Sequence, residues 1–100
     1  MFLRMWEYEV AEGREPEFEL MYGARGAWAQ LFARSDQFRG TGLFRGVDDA
    51  RTYLTVDRFT SARAWSRFLE LHAAEYAALD SQGEGLTTSE REIATAGGHG

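Results

Sequence analysis

Between Arg51 and Leu79 the apolar positions change spacing from every second residue to every third or fourth, and the change falls within a few residues of Thr60. Before it, Tyr53, Thr55, Asp57 and Phe59 alternate with Thr52, Leu54, Val56 and Arg58 in a β-branched and aromatic run that predicts a strand. After it, Trp65, Phe68, Leu69, His72, Tyr76 and Leu79 fall on one face of a helix beginning near Ala62. The first half of the chain repeats this order. Residues 2–10 predict a strand with Phe2, Arg4, Trp6, Tyr8 and Val10 on one face and Leu3, Met5, Glu7 and Glu9 on the other. Gly13 breaks it, Pro16 suits the first turn of a helix, and Glu15, Glu17 and Glu19 lie where the positive end of a helix dipole favours acids. The apolar face of that helix runs from Phe18, Met21 and Tyr22 to Trp28, Leu31 and Phe32. Gly23 and Gly26 predict a kink or a short break between them.

In residues 38–46, Phe38, Gly40, Gly42 and Phe44 alternate with Arg39, Thr41, Leu43 and Arg45, a strand whose glycines mark a bulge or a close approach. Residues 47–50 carry turn chemistry, so this strand and the next form a hairpin. Residues 86–95 predict a last, partly exposed strand, followed by a flexible tail over 97–100. The order β-α-β-β-α-β is the ferredoxin-like split arrangement of the α+β class, one domain over residues 1–96 with both helices on one face of an antiparallel sheet. Apolar groups occupy both faces of the strands holding Met5, Trp6 and Tyr8 and holding Tyr53, Leu54, Val56 and Phe59. The helix-free face therefore predicts a homodimer that packs sheet against sheet, a dimeric α+β barrel.

Composition narrows the function classes. The chain has 100 residues, 44% apolar and 14% aromatic, enough for order almost throughout. A net charge of -5 and a pI near 5.0 argue against a nucleic-acid or anionic-membrane partner. There is no cysteine, which removes thiolate chemistry and disulfides, and two histidines leave little for a metal centre, so no metal is expected. With no secretory leader pattern and no apolar run near the roughly 20 residues of a membrane span, the expected compartment is the cytoplasm. All 11 basic residues are arginine and asparagine is absent. The arginines are scattered, so codon usage in a GC-rich genome is the better reading of them than a preference for forked ion pairs.

Several side chains carry candidate chemistry. His72, set among Phe68, Leu69 and Tyr76, has the titration range of a general base or the nitrogen of a haem ligand; the simpler reading is a core or interface histidine. Trp65 and Trp28 are core fillers or a platform for a flat ligand, and Tyr8 and Tyr53 face a pocket or the dimer barrel. Arg4, Arg58 and Asp57 make a cross-strand ion pair or recognise a ligand carboxylate. The acidic run from Glu7 to Glu19 is a solvated face and a helix start.

Arg4-Met5-Trp6 in the first strand, the run from Tyr53 to Phe59 leading into Ser61-Ala-Arg-Ala-Trp65, and His72-Ala-Ala-Glu-Tyr76 resemble the antibiotic biosynthesis monooxygenase family of the dimeric α+β barrel superfamily. The likeness extends over nearly the whole chain. It implies a homodimer with a ligand pocket in each subunit between the sheet and its own helices. Members include cofactor-independent oxygenases of aromatic polyketides and haem degraders. By type and place, Trp65 and His72 match the family's helix-borne tryptophan and histidine. The family's asparagine has no counterpart, and Asp57 or Thr55 is left to hold a substrate oxygen. The resemblance thus implies His72, Trp65 and Asp57 as catalytic residues and Tyr8, Trp28, Tyr53, Phe68 and Tyr76 as ligand-binding ones. No flavin, nicotinamide or other cofactor is expected, as no Gly-rich phosphate loop is present, nor is specific haem binding. Two readings follow: a cofactor-independent monooxygenase acting on an aromatic or quinone-like small molecule, or a non-catalytic dimeric module that binds a small molecule or serves structurally.

Overall fold

The computed structural model describes residues 1–97. Strands β1 (Phe2–Val10), β2 (Phe38–Arg45), β3 (Thr52–Phe59) and β4 (Thr87–Ala96) form one antiparallel sheet in the order β2-β3-β1-β4. Helices α1 (Glu15–Tyr22) and α2 (Ala27–Phe32) follow β1, and α3 (Ala62–Leu71) and α4 (Ala73–Gly83) follow β3. This is the ferredoxin-like α+β arrangement expected from the chain. The tail predicted over 97–100 lies, beyond Gly97, outside the described residues. No helix among those residues is long and apolar enough to cross a membrane.

The break predicted at Gly23 and Gly26 separates α1 from α2. A side chain at Gly26 would strike the carbonyl oxygens of Leu20 and Met21 at 2.4 and 2.6 Å, so the second piece turns back tightly over the first. The helix predicted from Ala62 departs from its expected continuity. Ser61 accepts the backbone N–H of Ala64 at 3.0 Å to start α3. At His72 the backbone leaves the helical region (φ -127, ψ 28) and α4 begins anew. A single amphipathic period across His72 hid this turn, because Phe68 before it and Tyr76 after it both face the core.

Strand β2 carries another correction. Gly40 has φ +108, and the register with β3 slips between Phe38 and Thr41. One residue is therefore extra on β2, so Phe38 and Thr41 share a face although plain alternation puts them on opposite ones. Phe38 opposes Phe59 and packs on Phe32, while Thr41 opposes Asp57. Two positions on from Gly40, Gly42 admits the Phe44 ring, which a Cβ there would meet at 2.9 Å.

Register pairs Phe2, Arg4, Trp6 and Tyr8 with Phe59, Asp57, Thr55 and Tyr53, so these eight share the helix-covered face. The core between sheet and helices is largely aromatic: Phe18, Phe59, Phe68 and Tyr53 are at most 1% exposed. Rings of Phe32, Phe59, Trp65 and Phe68 meet at 5.3–5.8 Å between centroids, Trp65 and Phe68 stacked and the other pairs edge to face or tilted. The opposite face carries Leu3, Met5, Leu54, Val56 and the 53% exposed Phe44, and no described element covers it.

Candidate functional site

Near the middle of β1 and β3 the aromatic packing stops short and leaves a cavity of about 40 Å³. Its floor is Arg4, Thr41, Thr55 and Asp57 from the sheet; its walls are Tyr8, Tyr22, Trp28 and Phe32; Trp6, Tyr76, Asp80 and Glu90 stand toward solvent. That volume accommodates water. Trp6 and Tyr76, only partly buried, separate it from solvent.

Arg4 is 8% exposed. Its guanidinium carbon lies 4.2 Å from the centre of the Trp65 ring and 5.5 Å from that of Trp6, and Nε pairs with Glu92 at 3.3 Å. Although Arg4 and Asp57 are register partners, no ion pair joins Asp57 to Arg4 or to Arg58 among the described residues. The expected cross-strand pair is replaced by Arg4–Glu92 because the guanidinium is held by two indoles and reaches the opposite edge of β1. Asp57 keeps one side-chain hydrogen bond, accepted from Thr41 Oγ1 at 2.8 Å, which the bulge at Gly40 makes possible.

Burial pushes the Asp57 carboxyl above the usual range; the Thr41 hydroxyl and then the Arg4 and Arg58 charges only partly offset it. Such a group exchanges protons at a pH where a surface aspartate does not. The phenols beside it are held neutral. Burial, reinforced by Tyr22, raises Tyr8 strongly. Tyr22 is pushed up to about 12, mainly by burial, with the Trp28 indole pulling the other way. Tyr76 is raised by burial, with nearby Arg4 pulling the other way. At the rim, burial and then repulsion from Asp80 and Glu84 raise Glu90. The interior thus presents one cation, one carboxylate of altered basicity and several neutral donors inside an aromatic box.

Of the eight residues expected at a site, Asp57, Tyr8, Trp28 and Tyr76 line this cavity. Trp65 and Phe68 lie behind the wall, packed on Phe59 and Phe32. Tyr53 points toward α1, donating its hydroxyl to Glu19 and packing at a tilt against Phe18. His72 sits at the α3–α4 turn with Nδ1 3.3 Å from Glu75, lining an outer groove with Arg67 and Leu71. Phe68 separates it from the cavity. Thr41 and Tyr22 were not legible as site residues: Thr41 reaches the cavity only through the bulge, and Tyr22 has the spacing of any other core position on its helix. Because His72 is outside the cavity, titrated haem is expected to give no Soret shift that His72→Ala removes, as followed by absorbance at micromolar haem.

No protein-family model matches the chain, and no curated protein matches it. Solved structures do. SnoaB, a cofactor-independent oxygenase from Streptomyces nogalater, superposes with a TM-score of 0.72 at 20% identity, over 93% of this chain and 90% of that one. A candidate antibiotic biosynthesis monooxygenase from Deinococcus radiodurans gives 0.74 at 10% identity over 95% and 89%. One from Nitrosomonas europaea gives 0.67 at 11% over 98% of both chains. The fold is that of the antibiotic biosynthesis monooxygenases.

Proposed function

We propose that this chain is a cofactor-independent monooxygenase of the antibiotic biosynthesis monooxygenase type, acting on a small enolisable aromatic such as an anthrone. The observation that carries the reading is Asp57: a buried carboxyl of raised proton affinity, opposite a buried arginine, in an aromatic cavity between the sheet and its helices. The fold shared with an oxygenase that uses no cofactor supports it.

In this reading Asp57 takes the proton of the substrate enol, and Arg4 stabilises the anion left on oxygen. The electron pair, delocalised onto the ring carbon, forms a carbon–oxygen bond to O2, and the terminal oxygen takes the proton back from Asp57. The hydroperoxide then loses water, leaving a carbonyl where a CH2 stood; one oxygen atom enters the product and the other leaves as water. O2 is the oxidant and the substrate the reductant. An oxygen electrode tests this directly. Uptake dependent on protein and anthrone is expected; anthrone binding without uptake would leave a binding module, and neither binding nor uptake would deprive the cavity of both roles.

The active form in this proposal is a homodimer, with Leu3, Met5, Leu54 and Val56 of each copy packed against the other. Sedimentation equilibrium at micromolar concentration is expected to return twice 11.3 kDa, and Leu54→Asp should return a single copy. A wild-type mass of one chain would contradict the dimer.

A further inference from the structure

Each strand of the sheet contributes one polar side chain to the middle of the helix-covered face: Thr41 from β2, Asp57 from β3, Arg4 from β1 and Glu92 from β4. Asp57 and Arg4 are opposite charges in direct register, 7% and 8% exposed, an arrangement that ordinarily gives a cross-strand ion pair. Each instead takes its partner from the edge strand on its own side. Asp57 accepts from Thr41 Oγ1 at 2.8 Å, and Arg4 Nε pairs with Glu92 at 3.3 Å.

A bulge brings in each of these outer partners. For Thr41 it is the bulge at Gly40. On β4 the register against β1 moves from Met5 opposite Ala94 to Trp6 opposite Glu92, so Ile93 is extra. Thr95 and Glu92, three positions apart, therefore share the face of Arg4 and Trp6, whereas plain alternation from Thr95 puts Glu92 on the helix-free face. Thr95, opposite Arg4, donates its hydroxyl at 3.4 Å to Glu92 Oε2, the oxygen that meets the guanidinium. The Trp65 and Trp6 indoles turn Arg4 toward β4, and Glu92 fastens it there.

We infer that Glu92 is a positioning residue: presented by the β4 bulge, it keeps the Arg4 cation out of an ion pair with Asp57 and so leaves the cavity carboxyl able to take up a proton. A guanidinium closing on Asp57 would favour the carboxylate and engage the cation that lines the cavity. The other titratable or charged groups around Asp57 are Tyr8 on β1, Tyr22 on α1, Tyr76 and Asp80 on α4, Glu90 on β4 and Arg58 beside it on β3. Only Arg58 among these is a cation, and it alternates to the other face. From α2 come the uncharged Trp28 and Phe32, and α3 lends the cavity no lining group. The consequence for catalysis rests on Asp57 being the base proposed above; the charge arrangement does not.

Glu92→Gln tests it by removing the charge at constant size. Glu90→Gln, which removes a carboxylate of the same cavity that makes no ion pair with Arg4 among the described residues, controls for the general loss of negative charge. The Asp57 carboxyl is followed across pH by carbon-13 NMR, its signal identified by its loss in Asp57→Asn. Its midpoint should fall by about one to three pH units in Glu92→Gln and by far less in Glu90→Gln. The acid limb of the oxygen-uptake pH profile should move down with it. Should Glu92→Gln not fold, Thr95→Val removes only the hydroxyl that supports the Glu92 carboxylate and should move the midpoint the same way by less. An unmoved midpoint in Glu92→Gln, or equal falls in both glutamine variants, would overturn the inference. A Glu92-dependent midpoint in a wild-type protein that takes up no oxygen would uphold the charge arrangement and remove the oxygenase reading. Uptake that follows Asp57 with a midpoint indifferent to Glu92 would leave that reading and overturn the role of Glu92.

Discussion

Asp57→Asn is expected to lower oxygen uptake about 10²- to 10⁴-fold while raising the melting temperature at neutral pH. The two effects have opposite signs because they come from the same buried carboxyl. Its folded-state pKa lies above the ordinary aspartate value of 3.8. The protonated group is therefore the one the fold prefers: its stabilisation is full below the ordinary value and is lost as pH rises through the raised one. Asparagine resembles the protonated form, so the variant gains melting temperature above that window and nothing below it. Activity runs the other way, needing the carboxylate, and should fall in wild type as pH drops through the raised pKa. A thermal scan at several pH values together with a pH–rate profile checks both. Parallel loss of stability and activity would mean that Asp57 is a structural residue.

Trp65→Ala is expected to destabilise the fold by about 3–5 kcal/mol, more than 10 °C or so in Tm for a domain of this size. Trp65 is 9% exposed and packs between Phe59, Phe32 and Phe68, with the Arg4 guanidinium over its other face. Alanine leaves a void and frees Arg4, so activity should fall with the folded fraction and with arginine placement. Trp65→Phe refills most of the volume and should recover most of the stability, as chemical denaturation will show. A stable Trp65→Ala protein lacking only turnover would instead make the indole a group that touches substrate.

The architecture was legible because two periodicities alternate cleanly. Phe2 to Val10 and Thr52 to Phe59 carry side chains to opposite faces at every step, and the structure keeps those faces. What pattern could not show lies where backbone geometry overrides period. Gly40 adds a residue to β2 and so delivers Thr41 to Asp57, a contact that alternation assigns to the wrong face. His72 carries the period of its helix yet stands where the helix turns, which puts it on an outer groove. Arg4 could be placed on a face but not paired; its choice of Glu92 over Asp57 comes from the two indoles that fix its guanidinium.

If this cavity carries out oxygen insertion by proton removal at Asp57, the oxygen gained by the product must come from O2 and its rate must depend on that carboxyl. Turnover of an anthrone under heavy-isotope oxygen gas, followed by mass spectrometry of the quinone, tests both most directly. Wild-type protein is expected to place one heavy oxygen atom in each product molecule, and Asp57→Asn to give only the uncatalysed background. Product formed at the same rate by both proteins, or quinone whose new oxygen comes from water, would contradict it.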